Sequence, residues 1–260
     1  MTTNKHGLPR HVPVDVAREV RQRCGFGCVI CGLVITTYEH FDPLFKDAKV
    51  HDPKGITLLC GNHQLHTSKS TSLLSKETIA AADKDPKCKQ TGYADHLFDL
   101  GGTCPTIVLG SVRFIDCGRV LTVNGKPCIS IREPEPGSKK WRLSAEFDDQ
   151  EGRPLCRIID NELQIFNELL HDFDQEGNRF SIKGRDGRVL LELRLEAPHS
   201  LHVDAMRLEL PGRFFQPVIL EIKGGDLLAS HMGKHGRVSA LEVVNWRYGI
   251  EVTQDGMINI

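Results

Sequence analysis

Two short metal-binding patterns limit what the first part of this chain can become. Cys28-Val-Ile-Cys31-Gly32 is a CxxCG knuckle, and Cys60-Gly-Asn-His63 is a CxxH knuckle twenty-nine residues beyond Cys31. A tight turn brings two thiolates onto one ion, and Gly32 relieves the backbone where that turn closes. Two such knuckles supply Cys28, Cys31, Cys60 and His63, the donors that suit tetrahedral zinc. Cys24-x-x-x-Cys28 is a competing pair, although Cys24 reads better as a thiol at a helix end, packed against the knuckle. A structural zinc also explains how a segment of short elements folds, because metal binding in small zinc modules is worth on the order of 10 kcal/mol.

The chain has nine cysteines in 260 residues. In a reducing compartment the clustered ones read as ligands, and Cys88, Cys104, Cys117, Cys128 and Cys156 as scattered thiols. No stretch approaches eighteen apolar residues and MTTNKHGLPRHVP lacks an apolar core, so neither a membrane span nor a secretory signal is expected. A cytoplasmic protein follows as the expectation. The net charge of -1 argues against a uniformly basic nucleic-acid binder. Residues 1–90 hold 13 Lys and Arg against 9 Asp and Glu, whereas residues 91–260 hold 20 against 25. A basic head on an acidic body suits a head that meets phosphate.

Residues 13–23 predict a helix, with Pro13 at its start, Val16, Ala17 and Val20 on one face with Val12, and Gly25 as its stop. Short strands are expected around Val34–Tyr38 and Ile56–Leu59. A helix capped by Ser75 follows through KETIAAAD. From Thr106 the pattern changes to short runs rich in Val, Ile, Leu and Phe, broken by Gly, Pro, Asn and Asp. Asn124-Gly125 and Asp186-Gly187 are hairpin signals. Asp-Gln-Glu-Gly occurs at 149–152 and again at 174–177, marking turns. The predicted organisation is a zinc-stabilised domain over 1–90, a linker over 91–105 and an all-β domain over 106–260, either a sandwich or a short β-solenoid. The fold class is therefore α+β.

Between the knuckles stands Tyr38-Glu39-His40-Phe41-Asp42-Pro43. An acid–His pair and a DP turn, flanked by CxxCG and LLCxxH and followed by Thr67-Ser68-Lys69, resemble the HNH endonuclease family over residues 24–80. That resemblance implies a ββα-metal domain hydrolysing DNA phosphodiesters. It implies His40 as general base, Glu39 as ligand of a catalytic Mg²⁺ or Mn²⁺, and the two knuckles as a structural Zn²⁺ site. Two family positions differ. Gln64 stands where a second His usually completes the catalytic metal site, and Lys54-Gly55 where an Asn orients the base. His66 is the nearest candidate to replace that His, but two residues turn about 200° around a helix. His51 and Asp52 are further candidates, and Asn62 beside the second knuckle is another Asn near the site. Lys69 and Lys76 are available to phosphate. His199, His202, His231 and His235 share no ligand spacing, and Trp141 and Trp246 read as core. The resemblance predicts an endonuclease whose β-rich domain binds a protein partner or self-associates. The alternative is a degenerate HNH module that binds nucleic acid or protein without cutting.

Overall fold

The apolar spacing in α1 (Val14–Cys24) puts Ala17, Val20 and Cys24 on one buried face, at the i, i+3, i+7 positions of a helix. Pro13 leads into it with φ −56°, and Gly25 ends it in the left-handed conformation, its N–H directed at the Arg21 and Gln22 carbonyls. The coordinates are a computed structural model that describes residues 3–67, 73–149, 151–210, 212–244 and 249–260. The fold is α+β and mostly β. The chain divides into two compact units, one of residues 1–96 with 165–173 and the other of residues 97–164 with 174–260.

In the first unit, β1 (Thr37–His40) pairs antiparallel with β2 (Ile56–Leu59), in the register Thr37 to Leu59 and His40 to Ile56. The first strand lies further along than the expected Val34–Tyr38. The reason is that residues 33 and 34 are taken by another partner: Leu33 bridges Asp95, and the Val34 N–H donates to the Asp95 carbonyl at 2.8 Å. Helix α2 (Gly61–Thr67) follows β2 directly. Helix α3 (Lys76–Lys84) starts at Ser75, whose hydroxyl accepts the Thr78 N–H at 3.1 Å, as the sequence predicts.

The segment expected as a linker from residue 91 carries structure. Helix α4 (Lys87–Thr91) leads into β3 (Tyr93–Leu97), which supplies Asp95 to the first knuckle. Asn167 Nδ2 donates to the Cys88 carbonyl at 2.6 Å, which helps to explain why residues 165–173 cluster with this unit.

The core of this unit gathers Val20, Cys24, Cys28, Val29, Ile56, Leu59 and Ile79. A fully buried Leu or Ile contributes about 1.5–3 kcal/mol. Arg23 fastens the elements with polar bonds, donating to the Pro53 and Ile56 carbonyls and pairing with Asp83 of α3.

The second unit is built from short strands: β4 (Thr106–Leu109), β5 (Val112–Ile115), β6 (Arg119–Val123), β7 (Lys126–Arg132), β8 (Arg142–Asp148), β9 (Pro154–Ile159), β10 (Glu162–Phe166), β11 (Asp172–Glu176), β12 (Arg179–Lys183), β13 (Val189–Glu196), β14 (Ser200–Leu210), β15 (Val218–Lys223), β16 (Asp226–His231), β17 (Lys234–Val238), β18 (Glu242–Val244), β19 (Ile250–Val252) and β20 (Ile258–Asn259). One sheet runs β20-β19-β6-β7-β8-β9-β10. The other runs β11 to β17 in chain order. It is extended where β4 lies parallel to the first half of β14, β5 pairs with β4, and β18 lies parallel to β5.

Burial alternates with period 2 along these strands. Leu143, Ala145 and Phe147 of β8 point inward, as do Leu227, Ala229 and His231 of β16. Among the described residues, four hairpins turn on two residues of positive φ: Asn124-Gly125, Asp160-Asn161, Gly224-Gly225 and Met232-Gly233. Such turns match the strand twist. Of the two Asp-Gln-Glu-Gly repeats, the first lies between β8 and β9, with Gln150 outside the described residues. The second runs along β11, and its Gly177 opens the turn to β12. No described helix is long and apolar enough to cross a membrane.

Candidate metal centre

The CxxCG segment folds on itself. The Cys28 N–H donates to the Leu33 carbonyl at 2.9 Å and the Gly32 N–H to the Cys28 carbonyl at 2.8 Å, with Gly32 at φ 88°. That left-handed position is one a side chain rarely adopts. The second pair of ligands spans the junction of β2 and α2, where the helical rise returns His63 over Cys60. The ligand atoms of Cys28, Cys31, Cys60 and His63 all lie within 4.8 Å of one another, and they form the only such cluster among the described residues.

The distances fit a zinc ion. With bonds of about 2.3 Å to sulfur and 2.0–2.1 Å to nitrogen, tetrahedral geometry separates two sulfurs by about 3.8 Å, and sulfur from nitrogen by about 3.5 Å. Cys31 Sγ and Cys60 Sγ are 3.8 Å apart, and His63 Nδ1 is 3.4 Å from Cys28 Sγ and 3.2 Å from Cys60 Sγ. Burial pushes the Cys31 thiol up to about 12, with the neighbouring Cys28 and Cys60 sulfurs adding to the effect. A divalent cation supplies the charge that lets such thiols ionise. Cys24 is not in the set. Its Sγ lies 3.6 Å from Thr57 Oγ1 in the core, and burial raises its thiol to about 11.

Glu39 and His40 are neighbours on β1, but they meet different partners. Glu39 turns to α2, where Gln64 Nε2 donates to its Oε2 at 3.2 Å. His40 is buried against the loop that joins β1 to β2, its ring 5.3 Å from Phe45 and its Nε2 3.1 Å from His51 Nδ1. Among the described residues no hydrogen bond joins Glu39 to His40. Burial, reinforced by His51 and Arg10, holds the His40 imidazole down at about 4, so it is neutral at pH 7. The Arg10 guanidinium lies 5.2 Å from the centre of the Phe45 ring.

His66 does not reach this pair. It packs edge-on to His63 at 5.9 Å, on the side of the zinc ligands, and its carbonyl accepts the Leu73 and Leu74 N–H groups. Lys76 pairs with Asp42 at 2.7 Å, and Asp52 caps the short turn at Pro53–Gly55. Lys69 and Trp246 lie outside the described residues, and Trp141 is half-buried.

The glycine at position 55 has a steric cause. Its carbonyl accepts the Phe41 N–H at 3.0 Å and the Asp42 N–H at 3.3 Å, and any Cβ there would run into the Asp42 carbonyl oxygen. No Asn fits at that place. The side chain that hydrogen-bonds to His40 is His51, a residue the sequence pattern offers only as one of several candidates. No protein-family model, curated protein or solved structure matches the chain.

Proposed function

We propose that the first unit is an HNH-type, metal-dependent endonuclease module acting on DNA, with Cys28, Cys31, Cys60 and His63 as its structural zinc ligands. The observation that carries this reading is the order of parts. An antiparallel β1–β2 pair bears Glu39-His40, and a helix starts between two zinc ligands and sets Gln64 against Glu39. His40 is neutral at pH 7, so it has a lone pair available to accept a proton from water. Arg10, beside it, offers positive charge to a phosphate.

The oxygen donors beside α2 suit a hard cation. The Glu39 carboxylate and the Gln64 side-chain carbonyl, after rotation of the amide, would hold Mg²⁺ or Mn²⁺. When bound, such an ion supplies charge that stabilises the phosphate and leaving oxygens. The chain's own part is to hold that carboxylate in place and to keep His40 unprotonated.

A second reading has its own support. Gln64 already engages the carboxylate, and Glu39 and His40 face different partners, which suits a module that keeps its zinc and binds nucleic acid or protein without cutting. Plasmid nicking with Mg²⁺, Mn²⁺ or EDTA, comparing wild type with His40→Ala, separates the two. Metal-dependent nicking lost in His40→Ala supports the nuclease. DNA binding without cleavage under any metal refutes it and leaves the binding module. The β-rich second unit is then the part that targets or self-associates, which rests on the arrangement of domains alone.

A further inference from the structure

His40 is held through one nitrogen by a partner whose own protonation is dictated by a backbone carbonyl. Pro9 O lies 3.0 Å from His51 Nε2. A carbonyl only accepts, so His51 Nε2 carries a proton. In a neutral His51 the other nitrogen, Nδ1, is then a bare lone pair. It stands 3.1 Å from His40 Nε2, which must be the donor. His40 is therefore an Nε2–H imidazole with its lone pair on Nδ1. That Nδ1 makes no hydrogen bond among the described residues, and it is not one of the fully buried orphan atoms. The opposite tautomer would set two lone pairs against each other at the same distance and leave both unsatisfied.

The carbonyl at the head of this chain is itself fixed. Thr3 bridges Pro9, and Asn4 Nδ2 donates to the Phe45 and Ala48 carbonyls at 2.6 and 2.7 Å. These bonds tie the segment 3–9 to the same loop that covers His40. Arg10 and Phe45 complete the surroundings of the ring.

We propose that His51 is a positioning residue for His40: it relays the Pro9 carbonyl to the imidazole, fixes the Nε2–H tautomer and leaves Nδ1 as the proton acceptor. The chemistry rests on the nuclease reading. In that step a water O–H bond breaks and its proton goes to His40 Nδ1. The freed oxygen pair attacks phosphorus, and the leaving oxygen departs with the electron pair of the broken P–O bond. The Nε2–H bond to His51 then stabilises the imidazolium that forms, and removing such a partner costs on the order of 10–100-fold in rate.

The test reads the tautomer and the activity separately. Two-bond proton–nitrogen NMR spectra of the full chain, labelled in histidine and kept at about pH 8 where imidazoles are neutral, identify the His40 signals by their loss in His40→Gln. The expected result is an Nε2–H His40 in wild type and in His51→Asn, whose side-chain oxygen can accept the same bond. A mixture of both tautomers is expected in His51→Ala, and also in His51→Phe, which keeps the ring's bulk but neither nitrogen. An Nδ1–H His40 in wild type, or a spectrum unchanged in His51→Ala and His51→Phe, overturns the proposal. In plasmid nicking, both of those variants should lose about 10–100-fold in kcat with KM unchanged, and His51→Asn should recover most of it. Undiminished nicking in them overturns the proposal as well. A wild type that does not nick at all refutes the nuclease reading, while the spectra still decide the role of His51.

Discussion

Asp172 is 1% exposed and holds two guanidinium groups of α1. It accepts Arg21 Nε at 2.9 Å and Arg21 Nη2 at 2.7 Å, and Arg18 Nε lies 3.5 Å away. Arg21 in turn donates to the Tyr38 hydroxyl at 2.5 Å, so the network reaches β1, one residue before Glu39. Replacing Asp172 by Ala leaves a guanidinium whose side chain is only 11% exposed without its anion, beside a second one. Breaking a buried pair in this way costs about 3–5 kcal/mol. With a urea slope of about 2 kcal/mol per molar, a loss of about 4 kcal/mol lowers the unfolding midpoint by about 2 M. Two units need not unfold together, so hydrogen exchange across a urea series should be read separately on peptides from α1 and β2 and on peptides from β13 to β16. Only the first set should shift. In the double variant Arg21→Met/Asp172→Leu, most of the loss should be recovered, because no unpaired Arg21 charge remains. A single variant costing under about 1 kcal/mol, or a double variant as unstable as the single, would refute this account of the pair.

Other expectations follow from the same structure. Metal analysis of the purified chain should give about one zinc, lost in Cys60→Ser; a metal-free chain that keeps its fold in a chelator would sink the knuckle assignment. His40 takes its proton at about 4 when folded against 6.5 as a free side chain, so the unfolded chain binds more protons between those values. Stability should therefore fall as pH drops through that window, by at most about 3 kcal/mol, and His40→Gln should lack this part of the fall in urea titrations at several pH values. Gly55→Ala should destabilise the first unit by about 1–3 kcal/mol in the same exchange assay, since the Asp42 backbone must move. Met232 sits at φ 47° in a two-residue hairpin turn. Met232→Asn should raise the thermal midpoint of the second unit by the equivalent of about 0.5–1 kcal/mol, and an unchanged midpoint would show the turn is not strained.

The Cys/His cluster is legible in the sequence because knuckle chemistry is local. Two candidate ligands three residues apart in each knuckle announce their own geometry, and Ser75 and Gly25 do the same for helix ends. What escaped was set by distant partners. The strand expected at Val34 starts later because Asp95, sixty-one residues away, takes that backbone. The segment from residue 91 reads as a linker because it follows the polar run Asp83–Gln90, and the short strand that meets Leu33 through Asp95 has no pattern of its own. The role of Gly55 depends on how closely the Asp42 backbone passes, which no local pattern encodes. Among the described residues, two of the four two-residue turns with positive φ, Asp160-Asn161 and Met232-Gly233, carry no such local announcement.

Helix α2 buries none of its seven residues. A helix of that length has no independent stability in water, where about 12–15 residues are needed even for good helix formers. It is joined to its surroundings through Cys60 and His63, one turn apart, through Gln64 on Glu39, and through the His66 carbonyl. Gln64 follows immediately, so the partner of Glu39 stands next to a residue of the Cys/His cluster. A metal ion held by that cluster would therefore also order the helix that carries the partner of Glu39, linking metal binding to the carboxylate's surroundings.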